Sequence, residues 1–170
     1  MAAPRHLARW YDEHAQALFA WLLNLTRNEA DTRDLLQAMF VKLATRPDLL
    51  DGARDERGFL LRMAHNLAVD LVRRRDTRTR NYEAFAAEAA TVFAPAAGAD
   101  ERVFRERLTG ALGELPVEQR AVVHLKLWEG LTFEAIAGLL EIPLNTAASR
   151  YRYGLDKLRE RLRPLYEEIR

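Results

Sequence analysis

The sequence predicts an all-α protein: a three-helix N-terminal domain and a four-helix C-terminal domain with a helix-turn-helix, joined by a flexible linker. Three observations carry this. Apolar residues recur at helical spacing along almost the whole chain, with no sustained period-two alternation. That periodicity lapses once, between Asp76 and Asp100, in Ala-rich sequence containing Ala94-Pro95-Ala96-Ala97-Gly98. Near the C-terminus, a short helical stripe is followed after a few residues by a longer one. The expected divisions are residues 1–75, a linker over 76–100, and residues 101–170.

The first stripe is Leu7, Trp10, Tyr11, His14, Leu18, Trp21, Leu22 and Leu25. The second, Leu35, Leu36, Met39, Phe40 and Leu43, closes at Arg46-Pro47, because the residue before proline is driven away from helical torsions. Phe59, Leu60, Met63, Ala64, Leu67 and Leu71 form the third, and the three together carry enough apolar surface to pack as one small domain. Within the linker, Tyr82 to Ala90 has some helical character. Periodicity resumes with Val103, Leu108, Leu112 and Leu115, and Pro116 suits the first turn of a further helix, where its missing N–H has no partner to lose. That helix carries Val122, Val123, Leu125, Leu127 and Trp128 and is expected to end at Glu129-Gly130.

Composition narrows the function. The chain has 170 residues, no cysteine, 49% hydrophobic and 30% charged residues. This balance supports a folded core and excludes disulfides, thiolate metal sites and cysteine nucleophiles. The apolar stretch Ala17 to Leu23 is too short to span a bilayer and lacks a basic cluster before it, so neither membrane insertion nor secretion is expected, and the cytoplasm is the default compartment. His6, His14, His65 and His124 are scattered, with no metal-binding His pair and no glycine-rich phosphate loop, so no catalytic residue, metal or cofactor is expected.

The net charge of +1 conceals a pattern. From Arg62 to Arg80 six arginines stand against Asp70 and Asp76, and from Ile142 to Arg163 six basic residues stand against Asp156 and Glu160. Two separated cationic windows on a neutral chain point to two contacts with a polyanion, since neutralising phosphates releases counterions locally. Either window by itself is equally compatible with a solvated helix face.

The second window contains the most specific pattern. Thr132 is a suitable N-cap for a helix over Phe133 to Leu140, with Phe133, Ile136, Ala137 and Leu140 inward; Glu141-Ile142-Pro143 interrupts it. Asn145 or Thr146 can cap a second helix reaching about Leu162, with Asn145, Thr146, Ser149, Arg150, Arg152 and Tyr153 near its start. In a helix-turn-helix this part enters the major groove, where hydroxyl, amide and guanidinium groups meet base edges and phosphates.

Here the sequence resembles a family. Leu115-Pro116-Val117-Glu118-Gln119-Arg120, Glu129-Gly130-Leu131-Thr132-Phe133-Glu134-Ala135-Ile136-Ala137 and Ile142-Pro143-Leu144-Asn145-Thr146 resemble region four of bacterial RNA polymerase sigma factors of the extracytoplasmic-function group. Asp34-Leu35-Leu36-Gln37 with Phe40, Val41 and Leu43 is similar to region 2.2. Arg62 to Asp70, followed by Arg73-Arg74-Arg75, is similar to regions 2.3 and 2.4. The resemblance implies that Asp34, Leu35, Gln37, Phe40 and Leu43 dock on the clamp helices of the largest subunit of core RNA polymerase. It implies that His65, Asn66, Asp70, Arg73 and Arg74 lie by the minus-ten element of promoter DNA, where strands separate. Thr146, Ser149, Arg150, Arg152 and Tyr153 would read the minus-thirty-five duplex, and an anti-sigma factor is an expected partner. The chemistry is consistent: opening a duplex without ATP requires a pocket for an unstacked base beside cations that hold its backbone, and Asn66 with the arginine run offers both.

The chain departs from the pattern at several positions. The family usually has Val and Leu at positions 147 and 151, where Ala147 and Tyr151 stand here, so volume has moved one turn along the same face. Ala148 replaces a basic residue, and Tyr153-Gly154-Leu155 a stretch commonly Arg-Ala-Arg; Gly154 inside a helix costs about 1 kcal/mol relative to Ala. Glu141 stands where Gly is frequent, implying either a left-handed Glu or a different turn; Ala38 replaces an acidic residue and Phe59 a Trp. Two other readings compete: a stand-alone helix-turn-helix regulator binding a palindromic operator as a dimer, and a helical interaction module that never touches DNA.

Overall fold

The computed structural model describes residues 3–76 and 98–168, all of whose regular structure is helical. Most of the expected linker, including Tyr82 to Ala90, lies outside the described residues. The helices fall into two compact units, α1–α3 and α4–α7. No described helix is long and apolar enough to cross a membrane.

In the first unit, α1 (Ala3–Thr26) packs against both α2 (Glu29–Thr45) and α3 (Glu56–Asp76). Its stripe supplies Trp10, Leu18, Trp21, Leu22 and Leu25 to a core completed by Met39, Leu43, Leu60, Leu61 and Ala64. The buried Trp21 indole N–H donates to the Leu61 carbonyl at 3.0 Å, so its polar edge is satisfied inside the core. Only two residues join α1 to α2. Arg27 takes the left-handed conformation at φ 57° with its N–H on the Leu23 carbonyl, and the Asn28 side chain caps α2 by accepting from the Asp31 N–H at 2.9 Å. The Thr26 and Thr32 hydroxyls, 2.8 Å apart, lock this corner. As the Arg46-Pro47 pair predicts, α2 stops at Thr45, and a 3-10 turn over Pro47–Leu50 buries Leu50.

The second unit contains α4 (Ala99–Gly113), α5 (Val117–Leu127), α6 (Phe133–Leu140) and α7 (Leu144–Glu168). Ala111, Leu112, Leu115, Val123, Leu158 and Leu162 form one apolar cluster, which draws α4 and α5 onto the C-terminal half of α7. Pro116 precedes the first turn of α5 rather than entering it, and α5 ends at Leu127, before the expected Glu129-Gly130. The α7 helix continues past Leu162 because Leu162 and Leu165 are both buried, and that packing outweighs the cost of Pro164 near its end. The Arg120 guanidinium is buried and donates to the Leu115 carbonyl at 3.0 Å, satisfying the chain just past the end of α4.

Candidate nucleic-acid interface

In α3, the apolar positions Leu60, Leu61, Ala64, Ala68 and Val69 face the core, which leaves Arg62, Asn66, Asp70, Arg73 and Arg74 exposed at helical spacing on the opposite side. Asp55 starts the helix, its Oδ1 accepting from the Gly58 N–H at 3.0 Å, and arginines fill the last turn, where positive charge complements the helix dipole. Asn66, Asp70, Arg73 and Arg74 therefore share one exposed cationic face. His65 stands apart from them. It is half-buried, its ring stacked on Trp21 with centroids 6.1 Å apart and planes at 19°. Arg75, the third of the arginine run, is bound to Asp31 of α2 by a two-pronged ion pair, with Nη2–Oδ1 at 2.6 Å.

On α2, Asp34, Gln37, Ala38 and Val41 form an exposed strip at i, i+3, i+4, i+7 spacing. Leu35 and Phe40 are half-buried, and Phe40 meets Tyr11 of α1 edge to face at 5.1 Å. Leu43 is 1% exposed and belongs to the core, so it supports this surface from beneath. Beside the strip runs an open, largely apolar groove of about 590 Å³ lined by Leu7, Tyr11 and Phe19 of α1 and by Leu36, Gln37, Phe40 and Val41 of α2. Helical spacing places Leu7 and Tyr11 on the core stripe of α1, whereas both line this groove. Tyr11 is 54% exposed, and its position at the edge of the apolar arc was the available signal.

The helix-turn-helix is built by α6 and α7. Thr132 caps α6 as expected, its Oγ1 accepting from the Ala135 N–H at 3.1 Å. Of the two geometries open to Glu141, the left-handed one is adopted, at φ 56°, and the Ile142 N–H returns to the Ala137 carbonyl at 3.0 Å. The turn is shorter than expected: α7 begins at Leu144, so Asn145 and Thr146 lie within its first turn instead of capping it. Ala147 is fully buried and the Tyr151 ring packs edge-on against Phe133 of α6 at 5.4 Å, which restores on the next turn the volume that Ala147 lacks.

The remaining face of α7 points outward. Arg152 and Tyr153 are exposed, while Thr146, Ser149 and Arg150 are half-buried beside them. The Arg152 guanidinium lies 5.2 Å from the Tyr153 ring centroid, within cation–π range. Hydroxyl, guanidinium and phenol groups are thus presented together on the first three turns of a helix of groove-filling size. Among the described residues, no group of three or more His, Asp or Glu side chains is placed to hold a metal ion.

Comparison with known proteins agrees with this architecture. Residues 10–78 match the family "Sigma-70 region 2", and residues 105–158 match "Sigma-70, region 4". The chain is 31% identical over 160 residues to the ECF RNA polymerase sigma factor SigL of Mycobacterium tuberculosis, covering 91% of this chain and 88% of that protein. It is 30% identical over 161 residues to the RNA polymerase sigma factor CarQ of Myxococcus xanthus, covering 94% and 90%. Among solved structures, the sigma factor RpoE of Bartonella quintana, in complex with the anti-sigma factor NepR, aligns with TM-score 0.73 at 19% identity, covering 94% of this chain and 98% of that one. CnrH, in complex with the cytosolic domain of CnrY, aligns with TM-score 0.67 at 22% identity over 95% and 90%. The two helical units, one with a cationic helix face and the other with a helix-turn-helix, therefore place this chain in the extracytoplasmic-function group of RNA polymerase sigma factors, which direct promoter-specific initiation of transcription.

Proposed function

We propose a division of this activity between the two units, with residues 1–75 engaging core polymerase and opening DNA, residues 76–100 serving as the tether, and residues 101–170 anchoring upstream. In this reading Asp34, Leu35, Gln37 and Phe40, supported by Leu43, form the polymerase-binding surface on the clamp helices of the largest subunit. Asn66, Asp70, Arg73 and Arg74 meet the minus-ten strand, and His65 positions that helix through its stack on Trp21. Thr146, Ser149, Arg150, Arg152 and Tyr153 read the minus-thirty-five duplex. The protein acts in the cytoplasm with its polymerase and performs no catalysis of its own. An anti-sigma factor, as found with the RpoE relative, is the partner expected to cover the exposed strip of α2 or the face of α7.

The observation that carries the reading is the exposed, helically spaced set Asn66, Asp70, Arg73 and Arg74 on α3. It combines amide donors and acceptors for an unpaired base edge with cations for the backbone, and only a surface that holds single strands more tightly than duplex can drive melting. A stand-alone regulator needs no such surface. Transcription from a randomised promoter library with purified core polymerase tests it. Initiation dependent on this protein, with enriched sequences at both elements, is expected; operator binding without polymerase would favour the regulator.

A further inference from the structure

The corner between α1 and α2 holds a half-buried arginine in the left-handed conformation. Arg27 occupies the left-handed position after α1, where a side chain is strained and glycine is the relaxed choice. The corner is fixed around it by the Thr26–Thr32 hydroxyl contact, by the Thr32 hydroxyl donating to the Asn28 carbonyl at 2.8 Å, and by the Asn28 cap. The strain therefore persists because the surroundings over-determine the backbone. Arg27 is half-buried, and this burial lowers its pKa below the ordinary arginine value. Among the described residues no carboxylate or carbonyl accepts from its guanidinium.

The neighbouring arginine is treated differently. Arg75, at the end of α3, is neutralised by Asp31, four residues after Arg27. That ion pair pins the cationic end of α3 to the same corner and uses the acid nearest Arg27 in the first turn of α2 that is not engaged elsewhere; Glu29 pairs with Arg33. Among the described residues, the corner thus carries one guanidinium with a carboxylate partner and one without. An arginine already stripped of part of its water, with no acceptor among the described residues, is suited to a phosphate, which accepts two parallel N–H bonds.

We propose that Arg27 grips a phosphodiester of promoter DNA, carrying the cationic face of α3 around the α1–α2 corner. This rests on the promoter-binding reading of Arg73 and Arg74. The test is the salt dependence of promoter binding by the reconstituted holoenzyme, using the wild type, R27Q, R27G, R27K and, as reference, R73A. R27Q keeps most of the stem but loses the charge. It should reduce the slope of log affinity against log salt by about 0.9, so that the difference in affinity from wild type changes about threefold between 50 and 200 mM salt. R27K should keep the slope. R27G should lose it as R27Q does while unfolding at an equal or higher temperature, since glycine relieves the strain. A slope unchanged in R27Q and R27G while R73A lowers it overturns the proposal and leaves the promoter-binding reading intact. No promoter-dependent binding by the wild-type holoenzyme overturns both.

Discussion

A Cβ placed on Gly154 of α7 would stand 2.7 Å from Cγ2 of Val123 on α5, closer than any real contact of that kind. Gly154 is where the two helices touch. Val123 is fully buried and β-branched, so it has little rotamer freedom with which to yield. By propensity alone Gly154 is a helix defect; in the packing it is an approach point.

The substitution G154A should therefore destabilise the protein by about 1 kcal/mol, because overpacking costs about 1–3 kcal/mol and outweighs the roughly 1 kcal/mol gained in helix propensity. Denaturant unfolding of the full chain measures this. The double variant with V123A should recover part of the loss, and strictly additive effects would show that the contact is not the cause.

Arg120 makes a second prediction about the same unit. Its buried guanidinium serves the last carbonyls of α4 and the one at Leu115 just past it, the shortest bond going to Leu115 at 3.0 Å. R120M preserves much of the volume but strands those acceptors, so a loss of about 2 kcal/mol is expected. The exposed face of α7 is untouched, so duplex binding at low temperature should survive. Loss of binding in a variant with wild-type stability would contradict this structural role.

His124 should make stability fall with acid. It is buried against Trp128, with ring centroids 5.5 Å apart, and burial pushes its pKa from 6.5 down to about 4. Between those values the unfolded chain binds a proton that the folded chain refuses, so the stability present above pH 6.5 declines as pH falls and this contribution is fully lost below about pH 4. The gap of roughly 2.5 pH units corresponds to about 3 kcal/mol. H124L should flatten the unfolding free energy across this window relative to wild type; an unchanged pH profile would assign the acid sensitivity to other groups.

Separating the two surfaces of the first unit tests the division of roles. R73A with R74A should reduce open-complex formation by at least tenfold while leaving core-polymerase affinity within about twofold, since loss of charge-assisted contacts costs about 1.5–3 kcal/mol. D34A with F40A should do the reverse. Permanganate footprinting of melted promoter and a polymerase pull-down read the two activities. Phe40 also packs on Tyr11, so circular dichroism of each variant distinguishes misfolding, which would depress both activities equally.

On α7, R152A should weaken upstream duplex binding and lower its salt slope by about 0.9, the share of one phosphate. Y153A should weaken it as well, by removing the cation–π contact that the ring makes with the Arg152 guanidinium. If Y153A acts only through Arg152, the R152A/Y153A pair will show no further loss beyond R152A.

What the linear chain determined by itself was local. Helical periodicity, the Arg46-Pro47 stop, the Thr132 cap and the two cationic windows depend on residues within a few positions of one another, where torsional preference and side-chain spacing act directly. Membership of the family was legible for the same reason, since its motifs are short and contiguous. The tertiary structure alone decided which polar groups remain available to a partner. Asp31 lies 44 positions from the Arg75 it neutralises, and the Leu61 carbonyl lies 40 positions from the Trp21 indole that donates to it. His65 turns toward that same Trp21, Leu43 sinks into the core, and Gly154 meets Val123 across two helices. Each outcome is set by the packing of helices that are distant in sequence, so composition and spacing could nominate these residues, but only their three-dimensional partners could sort contact from support.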